Sequence, residues 1–218
     1  MQVYNFSNSN SIYNKFLSEM RDHSIQKDAL RFRKNLERIG EVSAYEISKK
    51  LSYSSVNTKT PLGISVDSLI DEEIVLATIL RAGLPLHNGL LNYFDKSENC
   101  FISAYRKHSS DKDFEVEIEY LASPDLNGKT IILSDPMLAT GKSMVLAYKA
   151  LLEKGQPKKI HIVSVVASDL GIEFVDANFP KNTSLWVGAI DPELTAEFYI
   201  SPGLGDAGDL AFGSKKDE

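Results

Sequence analysis

The apolar run Ile131-Ile132-Leu133-Ser134 ends in Asp135 and passes through Pro136-Met137-Leu138-Ala139-Thr140-Gly141-Lys142-Ser143 into a helix-forming sequence. A strand that ends in a carboxylate and turns quickly into a helix brings unpaired N–H groups, and the positive end of the helix dipole, to the carboxyl edge of a sheet. An anion is held well there, and the Thr140 and Ser143 hydroxyls add hydrogen bonds. A monophosphate fits such a cup. Asp135 then stands a sugar ring away, suited to accept hydrogen bonds from ribose hydroxyls. Taken alone, Asp-x(4)-Thr-Gly-x-Ser is also compatible with an ordinary capped turn carrying a structural aspartate.

Other chemistry-bearing patterns fail on context. Gly203-Leu204-Gly205-Asp206-Ala207-Gly208 satisfies G-x-G-x-x-G, but a dinucleotide fold needs it between the first strand and its helix, with an acidic residue about 20 positions later. Gly141-Lys142-Ser143 matches the tail of a P-loop, yet the position that requires its first glycine is Pro136. His23, His87, His108 and His161 show no metal-ligand spacing. There is no G-x-S-x-G, and Cys100 sits in an apolar run, as a buried inert thiol would. Acyl transfer and zinc chemistry are therefore unsupported. Glu115, Glu117 and Glu119 share one face of an alternating run, which fits a charged edge strand better than a metal site.

The elements that must position the cup can be read from hydrophobic periodicity. After a flexible start over residues 1–10, Ile25, Ala29, Phe32, Leu36 and Ile39 recur at spacings of four and three, which predicts a helix from Ser24 to Leu51. From residue 74 onward, short β-rich runs alternate with helical ones, the pattern of a mostly parallel sheet covered by helices. The expected strands are Ile74–Leu80, Cys100–Tyr105, Thr130–Ser134, Ile160–Ala167 and Leu185–Ile190, with helices at Leu84–Phe94, Ser143–Lys154 and from Leu170. Phe114, Val116, Ile118 and Tyr120 alternate with acidic residues after a turn-rich stretch, so residues 100–121 predict a β-hairpin arm standing off the sheet.

The 218 residues carry 24 Lys and Arg against 30 Asp and Glu, a formal charge of −6, with a pI near 5.3. That balance argues against a nucleic-acid binder working by bulk charge. Residues 1–60 hold 10 basic and 6 acidic side chains, net +4, which leaves 14 and 24, net −10, for the remainder. A single cysteine, a polar first ten residues without a signal-peptide pattern and no long apolar run lead to the expectation of a cytoplasmic protein with no membrane partner.

Four segments resemble, in order, motifs of the uracil phosphoribosyltransferases, members of the type I phosphoribosyltransferase fold. They are Ile79-Leu80-Arg81-Ala82-Gly83-Leu84, the pair Tyr105-Arg106, Asp135 to Gly141 with Ser143, and Tyr199-Ile200-Ser201-Pro202-Gly203-Leu204-Gly205-Asp206-Ala207-Gly208-Asp209. The likeness runs over residues 13–213, and the last segment separates the uracil branch from purine and orotate enzymes. Lys142 stands where the family loop has glycine, so a second glycine-only conformation is not expected there.

The resemblance implies a single α/β domain over residues 1–218: a mostly parallel sheet flanked by helices, a protruding β-hairpin and a uracil-binding hood at residues 191–213. It implies transfer of phosphoribosyl from phosphoribosyl pyrophosphate (PRPP) to uracil, giving UMP and pyrophosphate. Asp135 would hold the ribose and stabilise the cationic sugar, with Pro136, Met137, Leu138, Ala139, Thr140, Gly141, Lys142 and Ser143 around the 5′-phosphate. Arg81 and Arg106 would grip the pyrophosphate, and Asp206 would hold Mg²⁺. Ile200, Gly205, Asp206 and Ala207 would read the base, and Tyr199 would pack beside it or in the core. The implied partners are these small molecules and further copies of the chain, as a homodimer or higher homo-oligomer. A regulator that keeps the fold without catalysis, and an enzyme for another base, are the alternatives, and pyrophosphate release with each base separates them. Because the anionic substrate would bind in the segment of net −10, the reading predicts strong dependence on the metal.

Overall fold

The computed structural model describes the backbone of residues 1–110 and 113–215 and the side chains of residues 1–103 and 118–215. The chain starts with β1 (Gln2–Asn5), a 3-10 turn, α1 (Tyr13–Arg21) and α2 (Ala29–Ser48). An antiparallel pair, β2 (Tyr53–Thr60) and β3 (Gly63–Ile70), is followed by β4 (Ile74–Leu80), α3 (Gly83–Leu91), β5 (Glu98–Ser110) and β6 (Asp113–Ala122). Next come β7 (Thr130–Ser134), β8 (Met137–Leu138), α4 (Lys142–Leu152), β9 (Lys159–Ser168), α5 (Asp169–Asn178) and β10 (Ser184–Asp191). The chain closes through β11 (Glu193–Leu194), β12 (Ile200–Ser201) and α6 (Ala207–Phe212).

The main sheet has the order β1-β10-β9-β7-β4-β5-β6, with β8 beside β9. All its pairings are parallel except that of β6 with β5. Its central strands are near-continuous apolar runs, as a sheet buried on both faces requires: β7 is buried throughout and β4 in all but its last residue. One face packs on α1, α2 and α3 through Leu17, Met20, Phe32, Leu36, Leu86 and Leu90. The other packs on α4 and α5 through Met144, Val145, Leu151 and Val175. At the crossing of α2 and α3, Gly40 and Gly89 bring the two backbones so close that a methyl group on either would collide with the other helix.

Helices α3 and α4 follow neighbouring parallel strands, β4 and β7, yet cover opposite faces. The chain therefore leaves β4 in one direction and β7 in the other. Such a switch point opens a crevice at the carboxyl ends of the two strands, the place where open α/β sheets take their ligands.

The predicted strands and helices from residue 74 onward are present, each within a few residues of its expected bounds except β5, which runs on to Ser110. The start differs. Residues 2–5 form an edge strand in register with Ser184–Val187 where a flexible lead-in was expected, and Tyr4 stacks on Trp186 with ring centroids 4.0 Å apart. The long helix begins at Ala29 rather than Ser24, because the Asp28 side chain accepts a hydrogen bond from the Arg31 N–H and caps it there. Residues 100–121 form a hairpin with β6 as the edge strand of the main sheet; β5 pairs with β4 as far as Ser103 and beyond that with β6 alone. A second hairpin, β2–β3, forms a separate two-stranded sheet that hydrophobic periodicity did not predict.

Candidate active site

Asp135 follows the last residue of β7, at the crevice between β4 and β7. Its backbone is fixed on both sides: its N–H donates to the Val163 carbonyl at 3.1 Å, and its carbonyl accepts from Ser164 Oγ at 2.7 Å. The Asp135 carboxylate accepts from the Met137 N–H at 3.3 Å, a local turn between β7 and β8. The loop is better anchored than its sequence suggests. Pro136 accepts from the Val165 and Val166 N–H groups at 3.0 and 3.1 Å, β8 pairs with Val166 and Ala167, and Ala139 accepts from Ser168 Oγ at 2.5 Å.

The loop enters α4 through Gly141, which has φ 74° and makes no side-chain cap for the helix. A methyl group on Gly141 would lie 2.9 Å from the Gly171 carbonyl oxygen and 3.2 Å from Val175 Cγ2, so α5 presses against this turn. Thr140 Oγ1 accepts from the Lys142 N–H at 3.4 Å. Lys142 is exposed and already helical, in keeping with the expectation that no second glycine conformation is needed at the position. The α4 N-terminus thus follows the loop from Asp135 without a side-chain cap from Gly141 itself.

Arg81 follows β4 on the other side of the crevice. Its Nη2 donates to Asp209 Oδ1 at 3.0 Å and its Nη1 to the Gly213 carbonyl at 3.4 Å. Asp206 caps α6 by accepting from the Asp209 N–H at 2.9 Å, and Gly208 lies between Asp206 and Arg81. The structure therefore brings Arg81 and the segment Asp206–Asp209 together, although 124 positions separate Arg81 from Gly205.

Ile200 is buried and pairs with Leu194 in the small β11–β12 sheet, while Gly205 is exposed and Ala207 buried. Tyr199 is 42% exposed and is not a core tyrosine. Arg106 lies on β5, and its side chain, like that of Tyr105, is outside the described residues. So are those of Glu115 and Glu117, and no cluster of three metal-ligating side chains occurs among the described residues.

Titratable groups in the core point away from nucleophilic or histidine chemistry. Burial pushes the Cys100 thiol up to about 11, in line with its expected inertness. Burial lowers His161 to about 4, and its Nδ1 accepts from the Trp186 indole N–H at 3.1 Å. His161 pairs in register with Ile132, three positions before Asp135, so it sits below the crevice in the sheet.

Sequence reasoning missed Arg21, Gln26, Arg33 and Asp191, all of which bond the hood. Arg21 pairs with Asp191 and with Gly203, Gln26 donates to the Leu204 carbonyl at 3.1 Å, and Arg33 donates to the Ala211 carbonyl at 2.6 Å. No local motif marks them.

Comparison with known proteins agrees with this geometry. Residues 7–214 match the family model described as uracil phosphoribosyltransferase. A uracil phosphoribosyltransferase of Porphyromonas gingivalis is 55% identical over 215 residues, covering 99% of this chain and all of that protein. One from Thermococcus gammatolerans is 35% identical, covering 97% of this chain and 93% of that one. A solved structure of a protein from Aquifex aeolicus superposes with a TM-score of 0.87 at 29% identity, covering 97% of this chain and 98% of the other. Matched over nearly its whole length, the chain belongs to the uracil phosphoribosyltransferase family.

Proposed function

We propose that this enzyme breaks the bond between C1 of PRPP and its pyrophosphate and joins C1 to N1 of uracil, giving UMP and pyrophosphate in the salvage of a free pyrimidine base. The electron pair of the broken bond leaves with pyrophosphate, N1 supplies the pair for the new bond, and the N1 proton is released. Positive charge grows on the sugar while negative charge grows on the leaving group. Catalysis is then a matter of placing and fixed charge, with no nucleophilic side chain needed.

Asp135 accepts the ribose hydroxyls and faces the developing cation. The N–H groups from Ala139 to Ser143, with the hydroxyls of Thr140 and Ser143, cradle the 5′-phosphate. Arg81 and Arg106 take the pyrophosphate, for which a guanidinium fork is suited. The hood segment, Ile200 and Gly205 to Ala207, reads O2, N3–H and O4 of uracil with backbone groups. Cytosine reverses the donor and acceptor at two of these positions and would leave buried groups unpaired. What supports this reading is that Asp135 and α4 follow β7, that Arg81 follows the neighbouring β4 and bonds Asp209 of the hood, and that the chain is matched over residues 7–214.

The carboxylates at this crevice fit magnesium rather than a soft metal. Asp135 after β7 and Asp206 at the start of α6 offer hard oxygen donors from two segments, which suits an ion that arrives on phosphate oxygens and keeps its waters. Asp206, with Oδ1 engaged in capping α6, would hold it through its remaining oxygen or a water. Bound there, magnesium would offset the charge of the pyrophosphate. The test of the whole reading is to supply magnesium, PRPP and each free base in turn and to measure pyrophosphate. Release with uracil alone supports it, and release with a purine but not uracil overturns it.

We also assign a homodimer or higher homo-oligomer, supported by the β2–β3 hairpin. Leu62, Ile64 and Val66 of this arm are each more than 70% exposed, an apolar surface that a second copy would cover. Ile64→Asp with Val66→Asp is expected to shift the species seen by analytical ultracentrifugation to the monomer; an unchanged mass would refute the assignment. A cytoplasmic location is in keeping with a single, buried, unpaired cysteine. Among the described residues no helix is long and apolar enough to cross a membrane.

A further inference from the structure

We infer that Arg21 and Asp191 form a clamp that positions the base-reading segment, making them positioning residues for uracil selection; this rests on the reading that the hood binds uracil. Asp191 is the last residue of β10, at the carboxyl edge of the sheet, in register with Ser168 of β9. Arg21 is the last residue of α1. Their fork is bidentate, with Nη1 to Oδ2 at 2.7 Å and Nη2 to Oδ1 at 2.9 Å. Both then reach the same residue of the hood. Arg21 Nη1 donates to the Gly203 carbonyl at 3.0 Å, and the Gly203 N–H donates to Asp191 Oδ2 at 2.8 Å.

Gly203 is therefore gripped at both its backbone groups by one ion pair. Its φ is 53°, and a methyl group there would collide with the Ile200 carbonyl, so Gly203 makes a tight turn that no other residue fits. The turn sets the distance between the two halves of the proposed reader, Ile200 before it and Gly205 to Ala207 after it. The hood's own pairing is slight: β11 and β12 have two residues each. The side chains of Arg21 and Asp191 are 23% and 8% exposed. Removing either leaves the other charge with little solvent, and leaves a buried Gly203 group without its partner.

The clamp fastens the backbone proposed to order donors and acceptors along the base, while Asp206, also proposed to hold magnesium, is fixed separately by its cap on α6. Its loss should act on uracil and spare PRPP. Steady-state kinetics of the full chain test this, varying uracil at saturating PRPP and then the reverse. Arg21→Ala is expected to raise the KM for uracil about 30-fold, with the KM for PRPP within about 3-fold, and to narrow the preference for uracil over cytosine. Asp191→Asn keeps the size and one acceptor oxygen for the Gly203 N–H but loses the charge and the second acceptor for Arg21, and should raise the uracil KM about 5-fold. Arg21→Lys keeps the charge without the fork, so it supplies the same comparison should Arg21→Ala fail to fold. A uracil KM within about 2-fold of the parent in folded variants, or parallel rises for both substrates, would overturn the clamp. Gly205→Val separates the two layers of the inference. If it raises the uracil KM while the clamp variants do not, the clamp alone is wrong; if it leaves the uracil KM unchanged, the reading of the hood is wrong and the clamp falls with it.

Discussion

Asp135→Asn is expected to lower kcat about 100- to 1,000-fold, the range lost when fixed charge facing a transition state is removed. The substitution is nearly isosteric, and an amide oxygen still accepts from the Met137 N–H. The backbone ties to Val163 and Ser164 do not involve the side chain. Loop shape and thermal midpoint should thus stay close to the parent. Binding of PRPP should weaken far less than turnover falls, because asparagine can still accept one hydroxyl proton while it offers the cationic sugar no charge. Single-turnover kinetics with UMP quantified would show this split. A turnover near that of the parent would remove Asp135 from the mechanism.

Gly141→Ala should act on the other half of the site. The position has φ 74°, and the new methyl group would meet a backbone oxygen of Gly171 at 2.9 Å, with Phe174 and Val175 atoms at 3.2 Å. A carbonyl on a helix cannot swing aside like the tip of a long side chain, so the loop and the first turn of α4 must move. Displacing positioned groups by about 1 Å costs about 100-fold, and a rise of that order is expected in the KM for PRPP. The uracil KM should change much less. Lys142→Gly is the control: Lys142 is exposed and helical, so the substitution should leave the KM for PRPP within about 3-fold of the parent. A KM for PRPP unaffected by Gly141→Ala would mean that the phosphate lies elsewhere.

The parts of the fold that could be read from the residues share a physical cause. Strands β4, β7 and β9 are buried on both faces, so their sequences are long apolar runs with little ambiguity. The β7–α4 loop was legible because carboxylate, hydroxyl and glycine follow one another within nine residues. What escaped reading depends on partners far away in the chain. Gln2–Asn5 has no period of its own and becomes a strand because β10 lies open beside it and Trp186 receives Tyr4. The β2–β3 hairpin mixes serine, threonine and exposed aliphatics, so neither face shows the clean alternation that burial enforces. Arg21 and Asp191 are 170 positions apart, and nothing local to either says that they meet. The pyrophosphate-side expectation for Arg81 rested on the family motif; its contact with Asp209 and Gly213 is visible only in three dimensions.

The hood is fastened from outside. Arg21 of α1, Gln26, Arg33 of α2 and Arg81 all donate to it, and each of these contributes at least one bond to a main-chain carbonyl. Transplanting another base-reading segment onto this scaffold would therefore not succeed as a simple cut at residue 191. The donor segment would have to present carbonyls where these four side chains end, or be exchanged together with the N-terminal helices. For anyone re-engineering the choice of base, the unit of exchange is discontinuous: the C-terminal segment, the first third of the chain and the turn at Arg81 travel together, while the phosphate cup can stay untouched.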